Sequence, residues 1–323
     1  MPGRNGISKS FGRIKMRKVF FKNLQELAEK DKNIFLLVAD LGAKFFGDFQ
    51  KIDPKRFINA GVAEANMVDV AAGLAMSGKN VYCYSIIPFL VMRGLEQIRV
   101  DICYNNLNVK LLGAGGGFAY GAEGITHHAI EDIAIMRSLP NMTIVCPGDA
   151  KEAELLAKES VGYKGPLYIR FGRDFDPLVH KREIDFKIGK GIYINKGTEV
   201  CLIVTGTMLH TVNKALDLLK NSNLDPTLIS MHTVKPLDEE MIIDCAKNYK
   251  AIFTVEDHNI LGGLGSAVAE VLAENNYQGK FKRIGVKDKY CSLVGKTDFL
   301  LKSQGLDKEG IAQTILEEYK GNQ

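Results

Sequence analysis

From Met16 onward two hydrophobic patterns take turns along the chain. "RKVFFKNLQELAEKD" repeats its apolar positions every three to four residues, as a helix does, and "NIFLLVADL" is a short apolar run that reads as a buried strand. The alternation continues through "AEANMVDVAAGLAMSG" (helix), "NVYCYS" (strand), "FLVMRGLEQIRVDICY" (helix), "NVKLLGAG" (strand), "HAIEDIAIMRSL" (helix), "MTIVCPG" (strand), "DAKEAELLAKESVG" (helix) and "GPLYIRFG" (strand). Buried strands separated by helices predict a mostly parallel sheet with helices on both faces, an α/β fold. Ligands of such sheets bind in the loops beyond the carboxyl ends of the strands. The polar, Pro-containing stretch "RDFDPLVHKREIDFKIGKGIYINKG" breaks the rhythm, and a linker is placed there, near residue 185. A second, smaller alternation follows in "EVCLIVTG", "MLHTVNKALDLLKN", "DPTLISMHT", "LDEEMIIDCAKN", "KAIFTVED" and "GLGSAVAEVLAEN". The expected domains are therefore 16–185 and 186–323.

The length of 323 residues agrees with two domains, and 46% hydrophobic with 25% charged residues is ordinary for a globular protein. Net charge is only +4, without a basic stripe interleaved with aromatics, which argues against nucleic acid as a partner. Cys83, Cys103, Cys146, Cys201, Cys245 and Cys291 are scattered, lack Cys-x-x-Cys spacing and fall mostly in or beside apolar runs. They read as reduced core residues of a cytoplasmic protein. No apolar run is long enough to cross a bilayer. Residues 1–15, "MPGRNGISKSFGRIK", lack the apolar core of a signal peptide, and Met16 opens like a natural start. They are expected to be an extension or tag, with a mobile basic arm as the alternative.

Candidate chemistry lies at strand ends. "GAGGGFAYGAEG", Gly113 to Gly124, lacks the spacing of a dinucleotide fingerprint, and "GGLGSA", Gly262 to Ala267, lacks its third glycine. The loop after "NVKLLG" gathers Glu123, Thr126, His127 and His128. Histidine there can donate, accept or titrate, or it can simply cap a helix while the glycines allow close packing. Adjacent histidines point apart on a helix, which argues against a metal site. Glu64, in "RFINAGVAEANM", opens an apolar helix. The helix dipole favours an acid in the first turn. An acid buried among "AGVA" and "ANMV" is also able to share a proton, as a general acid/base or as partner of a heterocyclic nitrogen.

Taken together, "RFINAGVAEANMVDVAAGLAMSGKNVY", "YGAEGITHHAIEDIAIMRSLPNMTIVCPGDA", "PLYIRFGR" and "FTVEDHNILGGLGSAVAEVL" resemble the carboxyl-terminal half of transketolase, in the form made as a separate subunit. The resemblance runs from about residue 17 to the C-terminus. It implies a pyrimidine-binding domain followed by a transketolase C-terminal domain, and thiamine diphosphate as cofactor. In this family the glutamate of Gly-x-Ala-Glu hydrogen-bonds the aminopyrimidine ring nitrogen, which makes the cofactor's amino group the base that activates its thiazolium carbon. Glu64 matches that residue. Asp40 matches an acid lining the cofactor pocket, and His127 a histidine that contacts sugar and reaction intermediate. Arg170 matches an arginine that binds the substrate's phosphate or another distal group. Phe89 is the expected stacking partner of the aminopyrimidine, with Tyr84 second; core packing is the alternative for Phe89.

Departures from the family's pattern concern specificity. Gly115 stands where a histidine is usual, and Ala122 and Glu123 replace the acid pair of Gly-Glu-Asp-Gly. A sugar of different size or attachment from the ordinary pentose phosphates, nucleotide-linked or branched, is expected to bind near Glu123. The Gly-Asp-Gly motif that binds Mg²⁺ and diphosphate is absent from the sequence. Those ligands are expected on a second polypeptide, the amino-terminal transketolase subunit, in a heterotetramer with two of each chain. The expected activity is transfer of a two-carbon ketol unit from a ketose to an aldose. The rivals are a 1-deoxyxylulose-5-phosphate synthase-like or 2-oxo acid dehydrogenase beta-type subunit acting on pyruvate, and a non-catalytic scaffold.

Overall fold

The computed structural model describes residues 16–41, 46–172 and 178–320. The amino-terminal extension expected over residues 1–15 lies outside them, as does part of the expected linker. Helix α1 (Met16–Ala28) buries Met16, Phe20, Phe21, Leu24 and Ala28, the one-sided spacing that made it legible. Strands β1 (Ile34–Val38), β2 (Phe57–Asn59), β3 (Asn80–Ile86), β4 (Val109–Ala114), β5 (Thr143–Val145) and β6 (Leu167–Phe171) form a parallel sheet. Its order is β10-β5-β6-β4-β3-β1-β2, where the edge strand β10 (Thr233–Lys235) is antiparallel and comes from the second half of the chain. Successive strand residues serve opposite faces. Tyr82 and Tyr84 of β3 pack with α1, α2 (Gly47–Ile52) and α6 (Ala150–Gly162). Val81 and Cys83 pack with α3 (Glu64–Met76) and α5 (Asp132–Arg137).

The helix expected over "FLVMRGLEQIRVDICY" is instead a short α4 (Leu95–Gln97) between two wider π-helical turns, Phe89–Arg93 and Ile98–Tyr104. Gly94 sits at the junction, where a Cβ would come within 2.9 Å of the Leu90 carbonyl and 3.4 Å of Val68. The single strand expected over "DPTLISMHT" is β9 (Pro226–Ser230) and then β10, which leaves for the other sheet. The second sheet, β12-β11-β8-β9-β7, consists of β7 (Ile192–Asn195), β8 (Thr198–Val204), β9, β11 (Ala251–Asn259) and β12 (Lys280–Val286), with only β7 antiparallel. Helices α7 (Met208–Asn221), α10 (Thr297–Ser303) and α11 (Lys308–Lys320) cover one face, and α8 (Glu239–Asn248) with α9 (Leu264–Glu274) the other. All six cysteines are buried and unlinked. No helix among the described residues is long and apolar enough to cross a membrane.

A buried ion triad joins the two sheets. Arg170, on β6, donates from Nε to Asp132 Oδ2 at 2.9 Å and from Nη1 to Asp257 Oδ1 of β11 at 2.6 Å. Its Nη2 donates to the Ala129 carbonyl at 3.0 Å, and Tyr168 holds Asp132 Oδ2 from the other side at 2.7 Å. Room for the guanidinium comes from glycine: a Cβ on Gly116 would lie 2.6 Å from Arg170 Cζ, and one on Gly117 would strike the Asp257 carboxylate. Gly117 also has φ of +60°, a conformation that side chains other than glycine rarely adopt. The glycine run after β4 thus serves close packing, not a phosphate.

A second buried cluster fastens the end of the inter-domain segment. Asp149 caps α6 and accepts from the backbone of Val179 and His180, while Glu152 accepts from Ser230 Oγ at 2.6 Å and meets His180 Nε2 at 2.7 Å. Burial opposes charge on His180, but the hydrogen bond and charge of Glu152, with Asp149 beside them, outweigh it and hold the imidazolium above the usual histidine range. Burial likewise opposes charge on Glu152, and His180 with its neighbour His232 reverses this, so its carboxyl lies below the usual range.

Two outcomes are expected. Arg170→Met leaves Asp132 and Asp257 buried without their cation and should cost roughly 3–5 kcal/mol in urea unfolding, as for other broken buried pairs. A raised histidine stabilises below its unfolded value and loses that contribution as pH rises; a lowered carboxyl loses its own as pH falls. The stabilisation of wild type over His180→Gln should therefore be largest between about pH 4.3 and 6.5 and shrink above that window, measured as the difference in Tm across pH.

Candidate functional site

The loops leaving the carboxyl ends of β1 to β4 carry the candidate residues. After β2 the chain turns through Gly61, whose φ is +72°, and enters α3 with Glu64 as its first residue. Glu64 is 2% exposed. Its Oε1 accepts from Ser85 Oγ, at the end of β3, and its Oε2 accepts from Arg93 Nη1, both at 3.1 Å. A carboxylate this deep is tolerated because a hydroxyl, a guanidinium and the positive end of a helix face it.

Phe89 follows β3, and the Arg93 guanidinium lies over its ring, 4.3 Å from the centroid. The edge of His127 meets the same ring at 5.0 Å, and Tyr120 flanks His127 at 6.3 Å. The Thr126 hydroxyl and His127 Nδ1 are 2.9 Å apart. Glu64, Ser85, Phe89, Arg93 and His127 therefore form one continuous group. Glu123 lies in the turn Gly121–Glu123 of the same loop as His127, with its side chain exposed. The loop is closed at its base by paired backbone hydrogen bonds between Gly117 and Ala129. Asp40, after β1, is exposed in a left-handed conformation and exchanges hydrogen bonds with Asn59: its N–H donates to Oδ1 at 3.0 Å and its carboxylate accepts from Nδ2 at 3.1 Å.

Two expected site residues are placed elsewhere. Arg170, assigned to a substrate phosphate, is 2% exposed and spends its guanidinium on Asp132, Asp257 and Ala129. Its pattern match marks the bond between the domains and not a substrate contact. Tyr84, the second choice for ring stacking, points to the face opposite Ser85, because adjacent strand residues alternate. It packs against Phe21 and Phe46, and its hydroxyl accepts from Arg17 at 2.9 Å.

His128 is buried edge-on to Phe118 at 5.1 Å; burial pushes its pKa down, only partly opposed by the Gly121 backbone. No cluster of His, Cys, Asp and Glu that could hold a metal occurs among the described residues. "GGLGSA" does present a helix N-terminus, but the Glu256 carboxylate fills it, accepting from Leu264 N and Gly265 N at 2.8 Å each. Ser85 and Arg93 escaped the sequence reading. Their only signals were a hydroxyl ending an apolar strand and a cation inside "FLVMRGLEQI".

Comparison with known proteins shows the family. Residues 12–175 match the family model for the transketolase pyrimidine-binding domain, and residues 189–311 the one for the transketolase C-terminal domain. A putative transketolase C-terminal section of Methanocaldococcus jannaschii is 42% identical over 94% of this chain and 96% of its own length. An apulose-4-phosphate transketolase subunit of Phocaeicola vulgatus is 40% identical over 94% of this chain and 97% of its own. Among solved structures, a split-gene transketolase described as an inactive beta4 tetramer superposes with a TM-score of 0.86 at 35% identity, covering 96% of this chain and 99% of that one. The chain belongs to the transketolase family and carries that family's pyrimidine-binding and C-terminal domains.

Proposed function

We propose that this chain supplies the aminopyrimidine-holding half of a two-chain, thiamine-diphosphate-dependent transketolase that moves a two-carbon ketol unit from a ketose to an aldose. The observation that carries the reading is Glu64, a carboxylate buried at the mouth of α3 and hydrogen-bonded by Ser85, beside the half-buried face of Phe89. That pairing suits a flat heterocycle whose ring nitrogen shares a proton with an acid while its face lies on an aromatic. Thiamine diphosphate, when bound, supplies the nucleophilic carbon that cleaves a ketose next to its carbonyl. Glu64 holds the shared proton, Phe89 orients the ring and Asp40 lines the pocket. His127, whose Nδ1 is taken by Thr126, offers Nε2 to a sugar hydroxyl or to developing negative charge.

The diphosphate and Mg²⁺ are assigned to an amino-terminal transketolase subunit, in an assembly with two of each chain. The relatives that match over nearly their whole length are themselves named as sections or subunits, which supports a divided enzyme. The substrate is proposed to be a branched or otherwise unusual sugar phosphate. Gly115, Ala122 and Glu123 change the donor-binding loop, and a relative with 40% identity is named for apulose 4-phosphate.

Reconstituted with an amino-terminal subunit, thiamine diphosphate and Mg²⁺, the chain should turn over apulose 4-phosphate well above xylulose 5-phosphate, measured by the aldose released. Xylulose 5-phosphate cleavage at ordinary transketolase rates would sink the substrate assignment, and carbon dioxide release from pyruvate would favour the pyruvate-using rivals. Glu64→Gln should lower turnover roughly 10²–10⁴-fold while leaving the melting temperature close to wild type. Undiminished turnover would support the scaffold reading.

A further inference from the structure

The Arg93 side chain makes two contacts at once that a bound aminopyrimidine would also need. Its Nη1 donates to Glu64 Oε2 at 3.1 Å, and its planar guanidinium lies on the Phe89 ring with Cζ 4.3 Å from the centroid. Guanidinium is flat, delocalised and rich in N–H donors, which allows it to stack on an aromatic and reach a carboxylate together. Phe89 and Arg93 are four residues apart on one π-helical turn, so a single rotamer satisfies both partners. The arginine side chain is 51% exposed whereas Glu64 is 2% exposed. Arg93 is thus the outer wall over the buried acid.

We propose that Arg93 is a displaceable stand-in for the cofactor's aminopyrimidine. It pairs with Glu64 and covers Phe89, and it must swing into solvent before a heterocycle can take those two partners. The inference rests on the assignment of Glu64 and Phe89 to the cofactor and adds a competitor to it. A charged acid buried this deeply is unfavourable unless paired, so the plug stabilises the free chain and opposes cofactor binding by the same contacts. Half of the side chain already lies in solvent, so an outward swing needs no rearrangement of the core. Ser85, 0% exposed and fixed on β3, keeps its hydrogen bond to Oε1 and leaves Oε2 as the position that is exchanged.

The test is calorimetric titration of thiamine diphosphate with Mg²⁺ into the chain reconstituted with an amino-terminal transketolase subunit. Arg93→Ala should tighten the Kd about five- to tenfold by removing the competitor. Arg93→Lys, which keeps a charge but not the flat fork, should fall between the two. A Kd unchanged or weakened in Arg93→Ala overturns the proposal, the weakened case making Arg93 a cofactor-holding residue. Glu64→Gln separates the inference from its foundation: cofactor binding that weakens in that variant keeps the site assignment even if Arg93 fails, and binding equal to wild type sinks both. Thermal melts of the chain alone give a second reading. Arg93→Ala should lower Tm when Glu64 is present and have little effect in the Glu64→Gln background; equal losses in both overturn the stand-in.

Discussion

A single buried guanidinium decides how the two domains meet. Arg170 could not be placed in this core without both Asp132 and Asp257, and neither acid could be buried without it. Its own strand belongs to the first sheet and Asp257 to the second, so the bond can form only when both sheets are built and docked. Such a triad adds little net stability compared with a well-packed apolar core, but its removal is costly and its geometry admits one arrangement. Neighbouring contacts follow the same seam: Arg137 donates to the Gly262 carbonyl at 3.2 Å, and Lys235 to the Leu139 carbonyl at 2.6 Å.

The site inherits its geometry from that bond. Arg170 Nη2 holds the Ala129 carbonyl, Ala129 pairs with Gly117, and the loop between them carries Glu123, Thr126 and His127. His127 reaches Phe89, which begins the π-helical turn that ends at Arg93, and Arg93 reaches Glu64. A chain of direct contacts therefore links the domain junction to the buried acid. Rigidity at the base matters because any binding or catalytic constellation must be held close to its productive geometry.

Buried acids serve opposite ends in this molecule, and their environments tell them apart. Glu256 closes the amino terminus of α9 with two backbone hydrogen bonds, and burial pushes its pKa up to about 7, partly opposed by those bonds. It fills an anion site from within and leaves nothing for a ligand. Glu64 also opens a helix, yet its partners are a half-exposed arginine and a buried hydroxyl rather than backbone N–H groups. The exposed partner, more than burial, is what separates Glu64 from Glu256.

The sequence by itself determined the α/β class and the succession of most elements, and it singled out Glu64, Phe89 and His127 as candidates that the fold brings into one group, because periodicity and local motifs are properties of neighbours along the chain. It also placed the glycine run after β4 at a strand end and offered close packing as one reason for it, without naming Arg170 and Asp257 as the groups packed there. Strand β2, with three residues, and β12, whose "KFKRIGV" mixes charge into its alternation, carried too weak a pattern to be read. Tertiary structure decided what long-range pairing alone can decide. It sent β10 to the other sheet, turned Tyr84 away from the site by the alternation of β3, and brought Ser85 and Arg93 to Glu64 across 21 and 29 residues of chain. It also assigned Arg170 to Asp257, 87 residues away, where a motif had suggested a substrate. A motif records that an arginine is present, whereas only the folded chain shows which acceptors have already claimed its hydrogens.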